Sequence, residues 1–238
     1  MDRILVSVKT SRRYDSSGRQ EQARRSREAV VDAAERLFLD QGYATTTVAA
    51  IASAAAVSVE TIYKAFGGKA GVVRAIYQRG LIGRGPVPAY QRSDQMRTKD
   101  TDARTIMREW GLLTAEVASQ VSPIRLLIRS AALSDPEMAT LLKENDEERL
   151  KRMRHHARFL KQRSYLRDGV NLTEATDILW TCSSVELYEL LVLQRGWTLP
   201  RFAQYVSDFM IATLLPSREE TLESERTRAP DLQVRHRD

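Results

Sequence analysis

Residues 45–73 read TTTVAAIASAAAVSVETIYKAFGGKAGVV, and this stretch decides how the chain is organised. Thr47 offers a hydroxyl N-cap ahead of Val48, Ile51, Ala52 and Ala55, which share one face of a short helix. Ser58 offers a second cap, and the helix behind it carries Ile62 and Phe66 inward until Gly67-Gly68 stop it. Ile51 and Ala52 of the first helix can meet Val57 and Ile62 of the second, while the small side chains of Ala54, Ala55 and Ala56 allow close approach at the turn. Two short packed helices with a capped second member form the layout of a helix-turn-helix.

Working outward, Val30, Ala33, Ala34, Leu37 and Phe38 recur at helical spacing over residues 22–40, and Gly42 follows as a stop. Downstream, Val72, Val73 and Ile76 mark the buried side of a helix over 69–81. Gly83, Gly85, Pro86 and Pro88 then interrupt the pattern, so residues 83–100 read as a connection. Helical stripes resume over 102–120 (Ile106, Trp110, Leu113, Val117) and over 123–133, where Pro123 suits a first turn. Asp135-Pro136 opens a charge-dense helix to about Gln162, and two more stripes cover 173–195 and 199–215. No segment alternates convincingly as a strand.

Lys and Arg outnumber Asp and Glu by 14 to 8 over residues 1–84 and equal them at 23 over 85–238, so the net charge of +6 lies at the front. A basic front and a balanced back point to a polyanion met by the first part only, with nucleic acid and membrane phosphate both satisfying the charge. With 42% hydrophobic and 29% charged residues, the composition is that of an ordinary soluble globular protein. No run approaches the roughly 18 apolar residues of a spanning helix. The N-terminus has no small-residue cleavage pattern, so the expected location is the cytoplasm, nucleoid-associated when bound to DNA. The single cysteine, Cys182, leaves no disulfide framework and too few thiolates for a structural zinc site, and its apolar neighbours read it as a small buried hydrophobe.

Over residues 24–73 the chain resembles the DNA-binding domain of the TetR family. The likeness is carried in order by AAERLF at 33–38, Gly42-Tyr43, the Thr-Thr-Val cap, Ile51-Ala52, Val57-Ser58, Thr61-Ile62-Tyr63, Phe66 and Lys69. Ala56 departs from it, standing in the turn where the family usually has Gly; a requirement for positive φ there would cost about 1 kcal/mol. The resemblance implies an all-α protein: an N-terminal three-helix helix-turn-helix domain and a larger C-terminal helical ligand-binding and dimerisation domain. The expected division is a flexible basic arm at 1–21, the helix-turn-helix domain at 22–82, the connection at 83–100, the larger domain at 101–216 and a disordered tail at 217–238.

The resemblance also assigns a DNA-facing set: Thr47, Ala49, Ser58, Val59, Glu60, Thr61, Tyr63, Lys64 and Lys69. On a helical wheel Glu60 and Lys64 lie opposite Ile62, with Thr61 and Tyr63 on the flanks. Lys64 and Lys69 supply charge for phosphate or base contact, while Thr47 and the Tyr63 hydroxyl resemble family residues that bond phosphates. Glu60 either accepts from cytosine N4 or weakens non-specific binding. Val59 has two readings, core residue by periodicity and thymine-methyl contact by resemblance.

The same resemblance implies a homodimer paired through the helices near 173–195 and 199–215; from Val185 onward the first has more apolar residues than one buried side needs, and the second carries a further stripe. It also implies a cavity for an unknown small-molecule effector, with Met107, Trp110, Leu113, Leu127, Phe159, Trp180 and Tyr188 as candidate walls. Arg125 and Arg129, four apart on an apolar helix, either meet an anionic ligand or pair with Asp or Glu. His155-His156 read as a solvated pair with no metal partner, and no cofactor, metal or catalytic residue is expected. The leading function is a ligand-responsive transcriptional regulator, most often a repressor in this family, that binds a palindromic double-stranded operator and is released by its effector. The alternative is a small-molecule-binding helical module without sequence-specific DNA binding.

Overall fold

The computed structural model describes residues 17–98 and 102–217, all helical with no strand among the described residues. Most of the basic arm and of the tail expected from sequence lies outside them, and residues 17–21 belong to the first helix. The order is α1 (Ser17–Gln41), α2 (Val48–Ala54), α3 (Val59–Phe66), α4 (Lys69–Ile82), α5 (Ala89–Thr98), α6 (Ala103–Ala131), α7 (Pro136–Gln162), α8 (Leu172–Cys182), α9 (Val185–Tyr188) and α10 (Leu199–Leu214). A π-helical segment, Glu189–Gln194, continues α9. No single helix among the described residues is long and apolar enough to cross a membrane.

Both caps expected in the decisive stretch form. Thr47 accepts from the Ala50 amide and Ser58 from the Thr61 amide, each satisfying a donor left over at a helix start. Between them the chain makes a Schellman turn: the Ala56 amide donates to Ser53 and the Val57 amide to Ala52. This geometry puts Ala56 at φ +53°, the left-handed region that glycine occupies without penalty. The turn bends α3 by 106° from α2, within the range of DNA-reading helix pairs.

Phe38, Ile51, Ile62, Val72 and Ile76 form the core beneath this turn, together with Ile124, Ile128, Met138 and Leu141 from α6 and α7. The front and back of the chain therefore share apolar burial. A second core joins Ile106, Met107 and Trp110 of α6 to Leu160, Leu179, Phe202 and Val206. Helix α6, 29 residues and so about 43 Å long, passes through both cores.

Three expected boundaries differ. Pro123 does not start a helix but sits inside α6, which runs unbroken to Ala131. An interior proline costs about 3 kcal/mol, and burial of Val121, Ile124 and Ile128 around it offsets that cost. The connection at 83–100 contains α5, fastened to α6 by Arg92, which meets Glu116 through two bonds of 2.6 and 2.9 Å. The 173–195 stripe breaks at Ser183-Ser184, where Ser184 caps α9.

Helix α10 lies along α6 with very close contact at Gly111. A Cβ there would fall 2.0 Å from Ser207 Oγ and 2.8 Å from Ala203 O, so only glycine permits the approach.

Candidate nucleic-acid interface and cavity

Helix α3 turns its buried edge, Ile62 at 0% exposure, into the front core. Ser58, Val59, Glu60, Tyr63 and Lys64 are exposed on the other side, with Thr61 half-buried at their edge. Val59 at 40% and Tyr63 at 55% exposure lie outside the core, which rejects the core reading of Val59. Thr61 Oγ1 is 2.8 Å from Ser58 Oγ, so the cap is held by a second hydroxyl. Thr47 and Ala49 are exposed at the start of α2. The surface thus combines one ammonium, one carboxylate, one phenol and one isopropyl group around an exposed helix N-terminus, a chemistry suited to phosphate and base edges.

Lys69 departs from the expected role. Its Nζ is half-buried and donates to Tyr43 O at 2.8 Å and Thr46 O at 3.1 Å, with the Tyr43 ring 3.9 Å beneath it. Burial pushes its pKa down, and Asp135 opposes the shift. The amine therefore closes the loop between α1 and α2 and is not presented to a phosphate. Sequence reasoning also passed over Arg27, whose guanidinium stacks on Phe66 at 4.3 Å and donates to Ala65 O at 3.0 Å, tying α1 to the end of α3.

Behind this domain a cavity of about 350 Å³ opens between α6 and α7, closed by parts of α4, α5, α8 and α10. Helix α6 presents an apolar stripe to it, Trp110, Leu113, Val117 and Val121, which ends in Ser122 and Arg125. Helix α7 presents a polar one: Asn145, Arg149, Arg152 and His156 lie at spacings of four, three and four, on one helical face. Of the residues expected to line a ligand site, Trp110 and Leu113 do so. Met107 and Tyr188 are buried in the second core, with Phe159 packed against it, and Leu127 packs against the first core. Trp180 stacks under Arg149 at 4.2 Å and does not line the cavity.

Arg125, 5% exposed, pairs with Asp146, and Arg129 with Glu186 and Glu189, as the pairing alternative expected. The histidines separate: His155 is exposed, whereas His156 is buried with its ring 4.4 Å from that of Trp110. Burial holds His156 well below the usual imidazole range and so neutral, and pushes the Cys182 thiol up to about 12. No group of His, Cys, Asp or Glu able to hold a metal occurs among the described residues.

Residues 30–76 match the family model of bacterial regulatory proteins, tetR family. No curated protein sequence is similar enough to match. Among solved structures, the fold is similar to SmeT bound to triclosan, with a TM-score of 0.64, 21% identity and coverage of 81% of this chain and 93% of that one. Another SmeT structure is described as the repressor of the Stenotrophomonas maltophilia multidrug efflux pump SmeDEF. Native NalD, secondary repressor of the MexAB-OprM multidrug efflux pump in Pseudomonas aeruginosa, gives a TM-score of 0.64 at 18% identity, over 82% of this chain and 99% of that one. FadR, a fatty acid degradation regulator from Bacillus halodurans, gives 0.63 at 17%, over 78% and 94%. At these identities the structural likeness establishes the fold, and the likeness to the tetR family of bacterial regulatory proteins rests on residues 30–76.

Proposed function

We propose that this protein is a ligand-responsive transcriptional repressor which binds a two-fold operator as a homodimer and is released when a small effector enters the cavity between α6 and α7. The observation that carries this reading is α3 itself: capped, bent 106° from α2, buried through Ile62 and exposed through Val59, Glu60, Tyr63 and Lys64. The solved structures of similar fold include two efflux-pump repressors, one of them bound to a small molecule, which supports both the sign of regulation and the use of the cavity. In this reading residues 22–82 form the reader and residues 101–216 the sensing and pairing part. For pairing, α10 and the π segment leave Leu190, Leu193, Tyr205 and Phe209 exposed, a stripe that a second copy would cover. The cavity has a binding role in this reading, and no residue is assigned to catalysis.

The test is a gel-shift selection on fragments of the source genome across a salt series. One or a few fragments bound far more tightly than the rest, with log affinity falling linearly in log salt, is the expected result. Weak binding that is equal on all fragments would reject the reading in favour of a ligand-binding module without an operator.

A further inference from the structure

The cavity contains more unpaired hydrogen-bonding groups than apolar packing explains. Ser122 Oγ, Arg125 Nη1, Asn145 Nδ2, Arg149 Nε and His156 Nδ1 are all buried without a protein partner among the described residues, and all five residues line the cavity. Ser122, Arg125, Asn145 and His156 are each at most 5% exposed. An unpaired buried polar group costs about 1–3 kcal/mol, more when charged, and five such atoms belong to residues that line this one void. The Arg125, Asn145 and Arg149 nitrogens can only donate, and the Ser122 hydroxyl can also do so. The occupant must accept.

Its charge follows from the pairing of the arginines. Arg125 and Arg149 share one carboxylate, Asp146, the second contact at 3.4 Å. Arg97 and Arg152 likewise share Asp94. Three guanidinium groups, those of Arg125, Arg149 and Arg152, therefore line the cavity, and the carboxylates paired with them, Asp146 and Asp94, are each shared between two arginines. The one acidic residue among the lining residues, Glu148, is exposed. Arg149 is also fixed in place, donating to Trp180 O at 2.5 Å and Ser183 Oγ at 3.1 Å at the end of α8, which leaves its Nε as the free donor. The apolar part of the lining includes Trp110, Leu113, Val117, Val121, Leu179 and Met210.

We infer that the effector is a compact amphipathic anion, an aryl-alkanoic or medium-chain carboxylic acid, whose carboxylate sits among Ser122, Arg125, Asn145 and Arg149 and whose apolar body lies on the Trp110 side. The volume of about 350 Å³ is near the lower end for ligand sites and sets the size. A carboxylate offers about four lone-pair sites, enough for the donors of these four lining residues. A cation would add to the excess of positive charge, and a neutral apolar molecule would leave the donors unpaired. The assignment rests on the proposed function in taking this cavity as the effector site.

Calorimetric titration of the full-length protein with octanoate, 4-phenylbutanoate, 4-phenylbutanamide and 4-phenylbutylamine tests it. The acids are expected to bind at one per chain, the amide at least tenfold more weakly and the amine not at all. Asn145→Leu is expected to weaken acid binding at least tenfold without lowering Tm, because the replaced amide nitrogen bonds nothing in the protein; a merely structural role would lower Tm and leave affinity unchanged. Absence of acid binding, an amide as tight as its acid, or unchanged acid affinity in Asn145→Leu overturns the inference. The two proposals fail separately. Acids that bind as described but leave protein–DNA complexes intact contradict effector release alone, whereas neutral compounds that dissolve those complexes while acids do not bind contradict the carboxylate assignment alone.

Discussion

Tyr43 Oη donates a 2.9 Å hydrogen bond to Asp135 Oδ2, joining the loop after α1 to the cap of α7 across 92 positions of sequence. Each partner also holds its own element. The Tyr43 carbonyl accepts from Lys69, and Asp135 accepts from the amides of Glu137 and Met138. Burial pushes the Asp135 carboxyl up, but Tyr43 and these amides outweigh it and hold the pKa below the ordinary value. Helix α7 forms the polar wall of the cavity, so this bond is a direct link from that wall to the reading domain. Removal of the phenol in Tyr43→Phe is expected to lower unfolding free energy by about 1 kcal/mol and to reduce the factor by which ligand weakens DNA binding. Operator titrations with and without ligand measure the second effect; an unchanged factor would place the coupling elsewhere.

Ala56 at φ +53° carries strain that glycine would relieve. Ala56→Gly is expected to raise stability by up to about 1 kcal/mol, the relief being partly offset by the greater freedom of glycine in the unfolded chain. Calorimetry gives the sign, and a fall in Tm would show that the turn is unstrained.

Lys64 and Lys69 should separate affinity from stability. Lys64 is exposed, so Lys64→Ala should leave Tm unchanged and lower the slope of log affinity against log salt by about one unit. Lys69→Met removes two charge-assisted bonds inside the domain and should cost about 2 kcal/mol of stability. A Lys69→Met protein with unchanged Tm and reduced DNA affinity would return that amine to the DNA.

Glu116 is held below its ordinary 4.5, first by the Arg92 guanidinium and against the upward push of burial, with the Arg84 amide adding to the effect. A carboxyl whose folded pKa is depressed contributes stability that is fully present above its unfolded value and is lost as pH falls through the folded one. Between about pH 6 and pH 3, Glu116→Gln should therefore show a smaller fall in Tm than the wild type, from a lower starting value. Parallel curves would remove this pair from the acid response.

Much of the reading domain was visible in sequence because its determinants are local. Thr47 and Ser58 each cap an amide three residues further along the chain, and Ile51, Ile62, Val72 and Ile76 announce their faces by spacing. Lys69 was misread because its acceptors are the carbonyls of Tyr43 and Thr46, and backbone acceptors leave no trace in a sequence pattern. Helix α5 was hidden for a related reason: its anchors, Glu116 and Arg152, lie on α6 and α7. The polar wall had a signal in Asn145, Arg149, Arg152 and His156, but α7 carries charge on its other faces as well, and periodicity alone could not choose the inward one. Met107 and Tyr188, chosen as walls, are core residues, and core and cavity use the same chemistry.

Footprinting on a fragment recovered from the genomic selection tests the central claim most directly, that the exposed face of α3 reads operator DNA. Wild-type protein should protect two inverted half-sites, and Tyr63→Ala should lose that protection with Tm unchanged, since Tyr63 is 55% exposed. A footprint retained in full by Tyr63→Ala and by Lys64→Ala, or no discrete footprint with the wild type, would contradict the account.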